Sequence, residues 1–104
     1  MKLLHDHRGL AIRLTDERLA HIHEHPEMAA LDAAIERTLR EPEVVMQSAS
    51  DPRANLYYRW YLGTMVGDKH LCVVVKVLPA DAFVLTAYLT DQVKKGVQLW
   101  PTSE

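Results

Sequence analysis

The hydrophobic period of this chain changes at Pro42 from near four to two, and that change points to a fold whose main helices precede its main strands. Before the proline, Met28, Leu31, Ile35 and Leu39 recur at helical spacing, with Ala30 and Ala34 supporting the same face. They predict a helix over Glu27–Arg40, with Arg37 and Arg40 suited to its negative end and Pro42 stopping it. A shorter helix precedes it. Thr15 is a good N-cap because its hydroxyl can accept from an orphan amide, and Asp16 and Glu17 suit the positive end of the dipole. His25-Pro26 ends this helix near Glu24, since the residue before a proline is pushed out of the α region.

After Pro42 the period is two. Val44–Met46, Leu56–Leu62, His70–Leu78 and Phe83–Thr90 read as strands, separated by turns at Asp51–Asn55, Gly63–Lys69 and Pro79–Asp81. His70–Leu78 is nearly all apolar and β-branched, so it reads as a central strand covered on both faces. In the second strand Leu56, Tyr58, Trp60 and Leu62 fall on one face, and Tyr57, Arg59 and Tyr61 on the other. In the last, strict alternation puts Phe83, Leu85, Ala87 and Leu89 opposite Val84, Thr86, Tyr88 and Thr90. Short connections favour an antiparallel meander. The expected fold is α+β, with two N-terminal helices packed on a four-stranded antiparallel sheet. Leu10–Leu14 alternates as a short extra strand would, and residues 1–10 are expected to be loosely held.

At 104 residues the chain has room for one core, so a single domain over 1–104 is expected. The lone Cys72 cannot form an internal disulfide, and within Leu71–Val75 it reads as a small buried hydrophobe. No apolar stretch of signal-peptide length opens the chain, and none approaches the ~20 apolar residues of a membrane span. The default expectation is a cytoplasmic protein with no membrane contact. Twelve basic against 14 acidic residues leave a net charge of −2, which disfavours a non-specific polyanion binder. The balance is uneven: residues 1–54 hold 7 basic and 10 acidic groups, net −3, and residues 55–104 hold 5 and 4, net +1. The sheet half is therefore the better side for a phosphate.

Two features carry chemistry. In His21-Ile22-His23-Glu24-His25, a helix would place His21 and His25 on one face. Paired imidazoles titrate close to neutral pH and suit acid/base work on a phosphodiester. The same spacing suits a metal, and an ordinary solvated helix face accounts for it equally well. The second feature is a set of polar residues inside strands. Lys76 interrupts the central apolar strand, so it must be paired, reach an edge or face a cleft. Thr86 and Tyr88 alternate on one face, and Arg59 lies between two tyrosines. A cation with hydroxyls beside it can hold a phosphate, while β-propensity and cross-strand ion pairing are the simpler explanations. Lys94-Lys95-Gly96 reads as a glycine-capped helix end or as a contact for a substrate backbone.

The segment LTDERLAHIHEHPE, Leu14 to Glu27, resembles the opening of the phage barnase/EndoU/colicin/RelE-like nuclease family (PBECR). Tyr57-Tyr58-Arg59, Leu71–Lys76, FVLTAYLT at Phe83–Thr90, Lys94-Lys95-Gly96 and Leu99-Trp100 extend the resemblance over about residues 12–100. It implies a RelE/barnase-like fold and cleavage of RNA, tRNA included, without a metal or cofactor, by attack of the ribose 2′-hydroxyl on the adjacent phosphate. On that resemblance His21 and His25 are the acid/base pair. Arg59 and Lys76 hold the phosphate, Thr86 and Tyr88 orient it, and Lys94 and Lys95 follow the backbone. A toxin-like nuclease of this kind would have an antitoxin or immunity protein as partner. Two other readings compete: a non-catalytic module binding RNA or protein through the Tyr57/Tyr61 face, and a His-rich metal-binding domain. The nuclease reading makes one geometric demand. His21 or His25 must lie within about 10 Å of Lys76, Thr86 or Tyr88, because acid and base must reach one phosphate.

Overall fold

The structure is a computed structural model describing residues 1–102. Strands β1 (Lys2–His5) and β2 (Ala11–Leu14) come first, followed by helix α1 (Asp16–His23), a 3₁₀ turn (Pro26–Met28) and helix α2 (Asp32–Arg40). Five strands complete the chain: β3 (Val44–Ser48), β4 (Ala54–Thr64), β5 (Gly67–Leu78), β6 (Asp81–Thr90) and β7 (Gly96–Trp100). All seven strands share one sheet, in the order β1-β2-β6-β5-β4-β3-β7. The expected four-stranded antiparallel sheet is thus corrected to a seven-stranded mixed one, since β2 joins β6 in parallel. The additional strands are short, four or five residues each, and too brief for alternation to mark them firmly. β7 begins where the sequence read as a capped helix end, and β1 occupies the segment expected to be loose.

Both helices lie on one face of the sheet. Ile22 of α1, Met28 of the 3₁₀ turn, and Ile35 and Leu39 of α2 join Leu71, Val73 and Val75 of β5 with Val84 and Ala87 of β6 in one core. Burying apolar side chains of this size stabilises the fold by about 1.5–3 kcal/mol each. Helix α1 starts as its sequence demands, with the Thr15 hydroxyl accepting from the Arg18 amide at 3.2 Å. The long helix expected over Glu27–Arg40 is broken instead. A 3₁₀ turn delivers Met28 to the core, and α2 restarts at Asp32, whose carboxylate meets His23 at 2.6 Å.

The sheet curls until its two outer edges approach each other. Asp6, just after β1, is buried, and its carboxylate accepts from the Arg8 and Leu10 amides, both at 2.9 Å, and from the Tyr57 hydroxyl of β4 at 2.7 Å. The ring of the next residue, His7, lies 4.8 Å from that of Trp100 on β7. The β2–β6 seam is closed by a bidentate ion pair from Arg13 to Asp81 at 2.9 and 2.6 Å, with the guanidinium 5.6 Å from the Phe83 ring. No helix among the described residues is long and apolar enough to cross a membrane.

One irregularity decides what the sheet presents. Val75 faces Val84 and Val74 faces Thr86, so Leu85 is an extra residue, a β-bulge. The strict alternation expected along β6 therefore fails at its midpoint. Val84, Ala87 and Leu89 point to the helices, and Thr86 and Tyr88 share the other face with Val74 and Cys72.

Removing the Tyr57 hydroxyl leaves a buried carboxylate with one donor fewer. Tyr57→Phe is expected to cost about 1–3 kcal/mol, read as a lowered urea midpoint with the slope unchanged. An unaltered midpoint would show that Asp6 does not hold the curl.

Candidate functional site

The helix-free face carries its own, smaller apolar cluster. Met46, Leu56, Tyr58 and Cys72 form it, with Val44, Val74, Tyr88 and Val93 packed around them. Val93 belongs to the segment between β6 and β7, which folds back over the sheet, and the Lys94 amide donates to the Tyr58 hydroxyl at 3.1 Å. Between this segment and the loop after β3 lies a groove of about 410 Å³. Leu85, Thr86 and Tyr88 line it from β6, Ser48 from the end of β3, Ser50 and Asp51 from the loop that follows, and Lys94 and Lys95 from the folded-back segment. Gly96 fixes where the lysines stand: a Cβ there would come within 2.3 Å of the Gln47 carbonyl oxygen, so only glycine lets β7 start this close to β3.

Lys76 stands at the edge of this groove. It points to the same face, opposite Ala54 and Phe83, and its ammonium donates to the Asp51 carboxylate. The Lys76 hydrogen bond, helped by the Arg53 amide, holds the Asp51 carboxyl below its ordinary range. Lys94 Nζ lies 5.7 Å from the Tyr88 ring centre, within reach of a cation–π contact. Burial raises the Tyr88 phenol above its ordinary value, as it does that of Tyr58, which is pushed up to about 12. Burial also raises the Cys72 thiol, so it is a packed hydrophobe and no nucleophile. The groove thus sets three ammonium groups against one carboxylate, with two serine hydroxyls and a threonine beside them.

The remaining residues singled out from the sequence lie on the other side of the sheet. Arg59 points to the helix face and donates to the Glu41 carbonyl at 2.6 Å, closing the C-terminal end of α2. Tyr57 and Tyr61 are there too. Tyr57 is 1% exposed, so the face proposed for a binding module is interior. The histidines do not share a helix face, because α1 ends at His23 and His25 is extended at the start of the 3₁₀ turn. His21 is exposed beside Glu24 at 3.0 Å, and His25 is exposed beside Glu27 at 3.6 Å. α1 packs through Ile22 onto the core face, so the sheet separates both histidines from Thr86, Tyr88 and Lys76. The juxtaposition demanded of the acid/base pair is not formed, whereas Thr86, Tyr88, Lys94 and Lys95 meet in one groove and Lys76 borders it. Sequence reasoning missed Ser48, Ser50 and Asp51, which carry no signal beyond that of a turn. No group of three or more His, Cys, Asp or Glu side chains among the described residues is placed to hold a metal ion.

The Asp51 pairing has a pH signature. A carboxyl whose folded pKa is depressed adds stability above its unfolded value, and that stability is lost as pH falls through the folded one. Acidification below about pH 4 is therefore expected to destabilise the wild type more than Lys76→Met, followed by urea midpoints from pH 5 to pH 2. Parallel curves would remove the pair from the account. No family model, curated protein or solved structure matches this chain.

Proposed function

We propose that the protein binds single-stranded RNA along the helix-free groove, with Lys94 and Lys95 on the phosphodiester backbone. One observation carries this reading: residues nominated separately from the sequence as phosphate contacts, Thr86, Tyr88, Lys94 and Lys95, line the same groove beside Lys76. Ammonium groups supply the non-specific attraction, hydroxyls take phosphate and ribose oxygens, and the partly exposed Tyr88 ring offers a surface beside them. The resemblance read from the sequence in FVLTAYLT and Lys94-Lys95-Gly96 motivates the same ligand class.

Cleavage is a second reading, favoured by the contact between Asp51 and Lys76 at the groove wall. Attack by a 2′-hydroxyl needs a base for its proton, charge stabilisation at the phosphorane and a proton for the leaving 5′-oxygen. A carboxylate and an ammonium side by side supply all three. Asp51 would take the 2′-proton as the new O–P bond forms, and Lys76 would protonate the 5′-oxygen as the old one breaks, leaving a 2′,3′-cyclic phosphate and a 5′-hydroxyl. The helix histidines take no part. A carboxyl held low is a weak base near neutral pH, so this chemistry would be slow.

Binding of a labelled unstructured RNA oligonucleotide, followed by anisotropy across a salt series, tests the first reading. Each lysine on a phosphate contributes about 0.7 to the salt slope for a single strand, so Lys94→Ala/Lys95→Ala should flatten it by about 1.4. No binding at low salt, or an unchanged slope in the double variant, would reject the groove. Total RNA and tRNA incubated in EDTA test the second. Asp51→Asn should lose roughly 10²–10⁴-fold in rate, with His21→Ala/His25→Ala unaffected. Loss in the histidine variant alone would return the chemistry to the helix.

A further inference from the structure

A second cavity lies where the curled sheet brings its edges together, on the opposite side of the sheet from the groove. It measures about 180 Å³, and none of its lining residues lines the groove. Its polar walls are His7 and Asn55 with the charged Asp6 and Arg8, its aromatic walls Tyr57 and Trp100, and Leu10 and Leu99 are among the apolar ones. The His7 side chain is only 12% exposed, and neither ring nitrogen meets a hydrogen-bond partner among the described residues. Asp6 does not satisfy it: the nearest approach is 3.9 Å, and that carboxylate already accepts three hydrogen bonds. Both nitrogens of a buried imidazole without a partner are costly to keep, and such groups call for a specific explanation.

The chemistry of the walls defines what would satisfy them. Burial lowers the His7 pKa, with Arg8 adding to the effect and Asp6 opposing it, so the ring is neutral near pH 7. A neutral imidazole offers one donor and one acceptor, and the Asn55 amide offers both. The Tyr57 hydroxyl beside them is bonded to Asp6, which holds that wall of the cavity in place. Apart from Asp6, whose carboxylate is already bonded, and Arg8, the remaining walls are flat rings and aliphatic side chains. A matching ligand is small and planar, has apolar faces, and carries donors and acceptors along one edge.

We propose that this cavity binds a nucleobase, hydrogen-bonded to His7 and Asn55 and packed against the Trp100 indole. The inference stands apart from the RNA reading of the groove, because the two sites share no residue. The base could be that of a free nucleoside or one turned out from an RNA strand, and the chemistry recognised is the same.

Trp100 reports on the site once the other tryptophan is removed as Trp60→Phe. Adenosine, guanosine, cytidine and uridine are titrated against its emission. At least one is expected to quench it saturably, about tenfold more weakly in His7→Phe, where the ring nitrogens are lost, and equally well in Lys94→Ala/Lys95→Ala. Quenching by an RNA oligonucleotide at lower concentration than any nucleoside would assign the base to RNA; quenching by nucleosides alone would assign it to a free ligand. No saturable response to any nucleoside, or identical curves in His7→Phe, would overturn the site. To separate a lost contact from a changed fold, the wild-type His7 ring nitrogens are also followed by NMR. They must shift on nucleoside addition, and unchanged signals would reject the contact.

Discussion

A single buried carboxylate gives this sheet its shape. Asp6 terminates β1, starts the return to β2 by accepting from Arg8 and Leu10, and reaches across to the Tyr57 hydroxyl on β4. Because of that last bond the first hairpin cannot swing away from the body, and β1 is carried toward β7 from the far end of the strand order. Burial and the adjacent carboxylate both push the Tyr57 phenol up, so it remains a donor at any physiological pH. Leu4, Ile12 and Leu14 are buried because the hairpin is held there. Without it, the core would lie open along one side.

Curling also separates the two faces of the sheet by character. The helix side carries the large apolar core, and the other has only a small cluster around Tyr58 and Cys72. A surface so thinly covered leaves room for a groove, and Lys76, Lys94 and Lys95 collect there in a chain whose net charge is −2. Overall charge is a poor guide to what a protein of this size can bind. Much of the acid lies elsewhere, as the helix surfaces show: Glu24 beside His21, Glu27 beside His25, Glu36 beside Arg40 and Glu41 beside Arg37.

The parts of this structure legible in the sequence are those governed by local rules. Thr15 caps α1, His25-Pro26 ends it, and the apolar run around Val73 lies in the sheet interior, all for reasons confined to a few neighbouring residues. What escaped is settled at long range. The short edge strands β1 and β7 exist because the curled sheet offers them partners. The resemblance implies a phosphate-holding role for Arg59, yet the end of α2 claims it. His21 and His25 share a face only if the helix runs on through His25, two residues past the end that His25-Pro26 imposes. Of the groove, the lysines and the β6 hydroxyls were visible as unusual residue types, whereas Asp51 looked like any turn residue until Lys76 was found against it.

The bulge at Leu85 can be put in the terms of coding. A β-strand has two reading frames, one per face, and an unpaired residue shifts every later position from one frame to the other. Downstream of Leu85 the frame puts threonine and tyrosine in the groove and alanine and leucine under the helices. In the other frame the same letters would spell a polar interior and a greasy exterior. The length of this strand therefore carries more information than most of its side chains, and one codon lost there would rewrite both faces at once.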